Sequence, residues 1–129
     1  MKLDIANKWA IALQSGQYKQ GYGLLIQRDK AGTVRYCATG VLASLAEKEG
    51  LTAEVRRYGE TYFMDTINDV PLYATLSPAV REWAGMQSYT GMQPYTITSA
   101  EASVISMNDT GRRDFHEIAE YILANAEAL

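Results

Sequence analysis

The chain has 129 residues, of which 47% are hydrophobic and 21% are charged, and its formal net charge is −3. This length suits one domain with one core, and the composition is that of a folded chain rather than a disordered one. The negative charge argues against a general nucleic-acid-binding role, and no apolar run approaches the ~20 residues of a membrane-spanning helix. Because the chain has one cysteine and no signal-like N-terminal apolar segment, we expect a cytoplasmic protein.

Hydrophobic periodicity predicts a helix at each end of the chain. Residues 2–15 place Ile5, Trp9 and Leu13 on one stripe, and Trp9 is the expected core anchor. The last helix begins after Asp114, a favoured N-cap, with Glu117 three residues later in a variant of the capping box. Both helices should pack firmly against the core.

Residues 33–50 change hydrophobic period in the middle. Residues 33–37 suit a short strand, whereas Val41, Leu42 and Leu45 recur at helical spacing. The strand pairs with residues 24–28 across a tight turn at 29–32, which predicts a β-hairpin. Cys37 therefore falls where the hairpin ends and a helix begins.

The second half of the chain gives weaker signals. Ser77 as N-cap, Pro78 in the first turn and Gly85 as a stop predict a short helix. We expect short strands within residues 51–76, further strands at 95–98 and 103–107, and a turn at 108–111. The sum is an α+β fold, with a small, mostly antiparallel sheet and about three to four helices in a single domain over residues 1–129.

Cys37 and His116 are the candidates for nucleophilic catalysis. A thiol at a helix N-terminus has a lowered pKa when it is solvated, and a nearby histidine would act as a base oriented by Asn108 or Asp109. The alternative is a buried, structural cysteine, because free cysteines are among the most buried residues. No family signature surrounds Cys37, so we assign no catalytic residue.

The spacing of the acidic, histidine and cysteine residues predicts no metal site, and no cofactor is expected. One histidine and one distant cysteine lack the ligand spacing of a zinc site. The carboxylates lack the alternating pattern of a calcium loop.

A basic segment before the last helix predicts an anion site. Free N–H groups at a helix start, together with guanidinium groups, bind phosphate or carboxylate. Tyrosine rings offer surfaces on which a nucleobase stacks. The alternative is a solvated rim on which Asp109 or Asp114 pairs with the arginines. The candidate ligand-binding residues are Arg112, Arg113, Asn108, Asp109, Thr110, Arg56, Arg57, Tyr22 and Tyr95.

A different surface would suit a protein partner. Met86, Tyr89, Met92 and Tyr95 lie in or beside a polar, loop-like stretch and would present apolar and aromatic groups together. A small binder of this kind is also compatible with a symmetric homodimer.

Four blocks of residues follow one another in a fixed order: Trp9, Ala12, Leu13, Ser15, Gly16, Tyr18 and Gln20; Tyr36, Cys37, Gly40, Val41 and Leu42; Glu82, Trp83, Ala84 and Gly85; and Met107, Asn108, Asp109, Gly111, Phe115, Glu117, Ile118 and Ala119. In these blocks the chain resembles small uncharacterised proteins of tailed phages and prophages. The resemblance implies a phage accessory protein acting in the host cytoplasm, where such proteins commonly bind and block a host molecule. On it rests the expectation of a binding protein that captures a small anionic ligand, with a nucleotide immune signal of the host favoured. A protein-binding inhibitor of a host factor and a cysteine-dependent hydrolase using Cys37 are the alternatives.

Overall fold

Helices and a small antiparallel sheet make up the chain in a computed structural model. The model describes residues 1–51, 76–86 and 97–129, and the backbone of short strands at 55–58, 61–64, 66–67 and 70–71. In this part of the chain no helix is long and apolar enough to cross a membrane. The helices are α1 (Leu3–Gln14), α2 (Ala38–Lys48), α3 (Pro78–Ala84), α4 (Ser99–Asp109) and α5 (Phe115–Ala124). The strands are β1 (Ile26–Arg28), β2 (Val34–Tyr36), β3 (Val55–Tyr58), β4 (Thr61–Met64), β5 (Thr66–Ile67) and β6 (Val70–Pro71).

The predicted hairpin forms one side of the four-stranded sheet. Strands β1 and β2 pair antiparallel, with Ile26 opposite Tyr36. Strand β4 joins the other side of β1 and β3 follows it, giving the order β2-β1-β4-β3, while β5 and β6 form a separate antiparallel pair. The hairpin turn is held by Asp29, whose Oδ1 accepts hydrogen bonds from the backbone N–H groups of Ala31 and Thr33. The predicted α+β class is therefore confirmed.

The terminal helices pack against each other, as their apolar stripes predict. Ile5, Trp9 and Leu13 of α1 are buried, and so is Ile118 of α5. The indole Nε1 of Trp9 also donates a hydrogen bond of 2.8 Å to the carbonyl oxygen of Ala38, at the start of α2. The Trp9 side chain therefore packs in the core and fixes the start of α2. The same hydrogen bond satisfies Nε1, its one polar atom.

Helix α3 begins and ends where the sequence predicts. The Oγ of Ser77 accepts a hydrogen bond from the backbone N–H of Val80, and Gly85 closes the helix with a φ of 66°. Arg81 of α3 forms a buried ion pair with Glu101 of α4. Only one oxygen of Glu101 is used in this pair, since Oε1 has no hydrogen-bond partner among the described residues. Burial raises the pKa of Glu101, while the hydrogen bond and the charge of Arg81 oppose that shift.

Helix α4 is the main correction to the sequence prediction. Residues 103–107, expected to form a strand, lie inside this helix, and the expected turn residue Asn108 lies in its last turn. Thr98, expected in a strand, is the N-cap, and its Oγ1 accepts a hydrogen bond from the backbone N–H of Glu101. The buried stripe of α4 includes polar side chains, which hid its helical period from a hydrophobicity pattern. That stripe consists of Ala100, Glu101, Val104 and Asn108.

The start of α2 lies directly against the residue before β1. The carbonyl oxygen of Leu25 accepts a hydrogen bond of 3.1 Å from the backbone N–H of Cys37. A Cβ atom added to Gly40 would lie 1.8 Å from that same oxygen. Because backbone atoms form this contact, no side-chain rotation relieves it, and only glycine fits at position 40.

Replacing Gly40 with alanine should therefore destabilise the fold strongly. We expect Gly40→Ala to lower the free energy of unfolding by at least about 3 kcal/mol, because the helix must move away from the hairpin. Chemical denaturation followed by circular dichroism measures this. Gly111→Ala is the matched control, since its added Cβ would come no closer than 3.4 Å to another atom. A Gly40→Ala variant as stable as the control would contradict the contact.

Candidate functional site

The side chain of Asn108 connects three segments of the chain. It is 1% exposed. Its amide nitrogen donates to the carbonyl oxygen of Gly21 at 2.9 Å and to Oδ1 of Asp109 at 2.6 Å. Its amide oxygen accepts from Nε2 of Gln20 at 3.0 Å and from the backbone N–H of Ala38 at 3.2 Å. A carboxamide has two donor hydrogens and two acceptor sites, so its hydrogen-bonding capacity is filled.

These bonds hold residues 20–23 against the segment between α4 and α5. Gln20 donates a second hydrogen bond, of 2.7 Å, to the carbonyl oxygen of Arg113. The backbone N–H of Gly23 donates to Oδ1 of Asp109 at 2.9 Å. On its other side this loop runs parallel to β2, where the backbone N–H of Gly21 donates to the carbonyl oxygen of Tyr36. Hydrogen bonds to β2 on one side and to the α4–α5 segment on the other therefore fix the path of the loop.

The side chains of Tyr22 and Arg112 meet on the outer surface of the loop at residues 20–23. The guanidinium carbon of Arg112 lies 4.8 Å from the centre of the Tyr22 ring, within the range of a cation–π contact. The Tyr22 side chain is exposed. Arg112 has a φ of 46°, the only positive φ of a non-glycine residue in the described ranges. Such a conformation is unfavourable for arginine, and in proteins backbone strain of this kind often marks a functional position.

The start of α5 carries its own negative charges. The carboxylate of Asp114 caps the helix by accepting a hydrogen bond of 2.9 Å from the backbone N–H of Glu117. Arg113 contacts Glu117 at 3.4 Å, and both side chains are largely exposed. These carboxylates satisfy part of the positive potential of the helix start. The exposed guanidinium of Arg112 is therefore a stronger anchor for an anion than the start of α5.

The structure brings together part of the predicted residue set. Asn108, Asp109, Arg112 and Tyr22 meet at one place, with the exposed Thr110 beside them. We name this set, together with Arg113, the rim site. Asn108 is the buried member of the rim site, and both polar atoms of its side chain are hydrogen-bonded to protein groups. The side chains of Arg56 and Arg57, on β3, and the whole of Tyr95 lie outside the described residues.

Sequence reasoning missed the role of Gln20 and Gly23. Both hydrogen-bond to residues more than eighty positions away in the chain. The closely spaced glycines at 21 and 23 were the available signal, because they favour a loop that approaches another backbone closely.

Cys37 has the environment of a structural cysteine. It is 2% exposed, its Sγ accepts a hydrogen bond from the backbone N–H of Gly40, and it lies 3.1 Å from Oγ1 of Thr39. Burial raises the pKa of the thiol to about 11, more than these hydrogen bonds lower it. At neutral pH the sulfur is therefore a protonated N-cap of α2. His116, the candidate base, is exposed in the first turn of α5.

Of the four residues expected to form a protein-binding surface, only Met86 lies within the described residues, and its side chain is buried. Tyr89, Met92 and Tyr95 lie outside the described residues. Within the described ranges, no three acidic, histidine or cysteine side chains come together as a metal-binding group.

Changing Asn108 to aspartate should destabilise the protein. The change removes both donor hydrogens and puts a buried carboxylate against the Gly21 carbonyl oxygen and the Asp109 carboxylate. We expect a loss of about 3 kcal/mol or more in the free energy of unfolding. Thermal and urea denaturation measure it. Asn7→Asp, on the exposed face of α1, is the control and should be close to neutral. Equal stability of the two variants would contradict the role of Asn108.

Cys37 should react slowly with iodoacetamide at neutral pH. With a thiol pKa of about 11, the reactive thiolate is scarce at pH 7 and increases as the pH rises toward that value. We expect a rate roughly a hundredfold or more below that of the same chain in denaturant, because the unfolded thiol has an ordinary pKa. Mass spectrometry of the alkylated protein measures both rates. Labelling of the folded chain as fast as the unfolded chain would indicate a poised nucleophile.

Comparisons with known proteins identify a family but no characterised relative. Searches of curated proteins and of solved structures found no match. One protein family, described as a domain of unknown function (DUF8296), matches residues 1–126, which include every residue of the rim site. The chain therefore belongs to the DUF8296 family.

Proposed function

We propose that this protein is a phage-type accessory protein that binds a small anionic ligand at the rim site, with a nucleotide as the favoured ligand. The observation that carries the proposal is the contact between the Arg112 guanidinium and the Tyr22 ring, at 4.8 Å, on an exposed surface. An aromatic ring and a guanidinium group together match a nucleotide, since the ring stacks on a base and the cation binds a phosphate.

The backbone of Arg112 supports this assignment. A structural position with a φ of 46° would be occupied most easily by glycine or asparagine, yet here it holds a long cationic side chain. The left-handed conformation turns the chain between α4 and α5 at the point where the side chain lies over Tyr22. The strain, of order 1 kcal/mol or more, is tolerated because the residues on both sides are held by backbone hydrogen bonds to α4. The N–H of Gly111 donates to the carbonyl oxygen of Ser106, and the N–H of Arg113 donates to that of Met107.

The rim site is prepared for binding before a ligand arrives. Residues 20–23 are held through Asn108 and Asp109, and Gln20 ties the same loop to the backbone of Arg113. A ligand therefore need not order the loop, which reduces the entropic cost of binding. Arg113 supplies a second guanidinium, and its exposed contact with Glu117 at 3.4 Å is weak enough to be exchanged for a phosphate.

Binding accounts for the rim site better than catalysis does. The one thiol of the chain is buried and protonated at neutral pH, and the imidazole of His116 is exposed on α5. In the phage setting that the sequence resemblance suggests, a non-catalytic nucleotide binder would act by sequestration. It would lower the concentration of a nucleotide that the host uses as an immune signal.

Isothermal titration calorimetry with a panel of mononucleotides, cyclic nucleotides and dinucleotides tests the proposal. We expect at least one member to bind the wild-type protein. We expect Tyr22→Ala and Arg112→Gly each to weaken that binding by about tenfold or more, since stacking a base contributes ~1–3 kcal/mol. Arg112→Gly is informative because glycine accepts the left-handed backbone, so folding should be preserved while binding is lost.

Lys30→Ala, which removes an exposed cation from the hairpin turn, is the matched control and should leave affinity unchanged. Absence of binding across the panel would contradict the proposal. A stoichiometric host protein retained from lysate in that case would favour the protein-binding alternative. Exposed apolar side chains of α1 and α5 that such a partner would cover are Leu3, Ile11 and Leu123.

A further inference from the structure

Asp109 places a carboxylate inside a site proposed to bind an anion. Its Oδ1 accepts hydrogen bonds from the backbone N–H of Gly23 at 2.9 Å and from Nδ2 of Asn108 at 2.6 Å. Within the described part of the chain, the hydrogen bonds to the Asp109 side chain are all made to Oδ1 and none to Oδ2. The side chain is half-buried at the rim. The carboxylate is therefore fixed in position and keeps one oxygen for a further partner.

This carboxylate lies where the two segments that carry the proposed ligand contacts are joined. It is bonded to Gly23, the residue after Tyr22, and it lies three residues before Arg112. A carboxylate repels a phosphate, so a site for inorganic anions alone would gain from losing it. A ligand that carries hydroxyl groups beside its phosphate would instead use both charges.

We infer that Oδ2 of Asp109 accepts a hydrogen bond from the 2′- or 3′-hydroxyl of a ribose, and that the ligand is a ribonucleotide rather than a deoxyribonucleotide or free phosphate. The inference rests on the proposed function and adds a specificity-determining residue to it. The ring of Tyr22 contacts the base, Asp109 the sugar and Arg112 the phosphate. A carboxylate accepting from a ribose hydroxyl is a recurring way in which proteins recognise nucleotides.

Calorimetry of AMP, GMP, CMP and UMP against their 2′-deoxy and 3′-deoxy counterparts tests the inference on the wild-type protein. Loss of the hydroxyl that Asp109 contacts should weaken binding by about tenfold, as for a hydrogen bond to a charged group. In Asp109→Asn, which keeps an oxygen for Gly23 but not the charge, the same comparison should give less than about threefold. Inorganic phosphate should bind Asp109→Asn at least as well as the wild-type protein, because a repulsive charge is gone.

The outcomes separate the two proposals. Equal affinity of the wild-type protein for the ribonucleotide and both deoxy forms would overturn the ribose inference and leave the proposed function standing. An Asp109→Asn variant that keeps the full preference for the ribonucleotide over its deoxy forms would also overturn the ribose inference and leave the proposed function standing. If the wild-type protein binds none of these mononucleotides, the ribose inference fails, whereas the proposed function fails only if the cyclic nucleotides and dinucleotides of the larger panel do not bind either. The comparison of ligands on the wild-type protein needs no variant, so a poorly folding Asp109→Asn would not prevent the test.

Discussion

The architecture of the rim site depends on one buried carboxamide. Asn108 uses all its hydrogen-bonding capacity on partners from three places: the loop at 20–23, the start of α2 and its own helix end. Two of these partners, the Gly21 carbonyl oxygen and the Ala38 N–H, make buried hydrogen bonds to Asn108 that replace the water they lose on folding. Leaving such a group unsatisfied costs about 1–3 kcal/mol, so the network is stable only when every member is in place.

The same junction explains the state of the one cysteine. The start of α2 is fixed by Asn108 at the Ala38 N–H, by Trp9 at the Ala38 carbonyl oxygen and by Leu25 at the Cys37 N–H. The Cys37 sulfur is enclosed by this arrangement, and burial holds its pKa well above the ordinary range. A helix N-terminus lowers a thiol pKa only where the thiolate stays solvated. Here desolvation is the larger effect.

Local signals predicted most of the fold. Caps and apolar stripes located α1, α3 and α5, and the change of period around Cys37 located the hairpin and α2. Helix α4 was missed because two of its buried positions hold Glu101 and Asn108. Their burial is compensated by partners far away in the chain, which a hydrophobicity pattern cannot reveal.

The rim site was also predicted only in part from the sequence. The sequence grouped Asn108, Asp109, Arg112 and Arg113 because they are neighbours in the chain. The contact of Arg112 with Tyr22 spans ninety positions. It is supported by long-range hydrogen bonds, from Asn108 to the Gly21 carbonyl oxygen and from the Gly23 N–H to Asp109. The sequence suggested both Arg112 and Tyr22 as ligand contacts, but it contained no local signal that their side chains meet.

Asn108 holds the rim site together through a complete set of hydrogen bonds. Hydrogen exchange of its side-chain NH₂ group, followed by NMR on uniformly ¹⁵N-labelled protein, measures whether these bonds are maintained in solution. We expect both protons of that group to exchange slowly, with protection near that of the backbone amides of α4. Exchange at the rate of a solvent-exposed asparagine such as Asn7 would contradict the account.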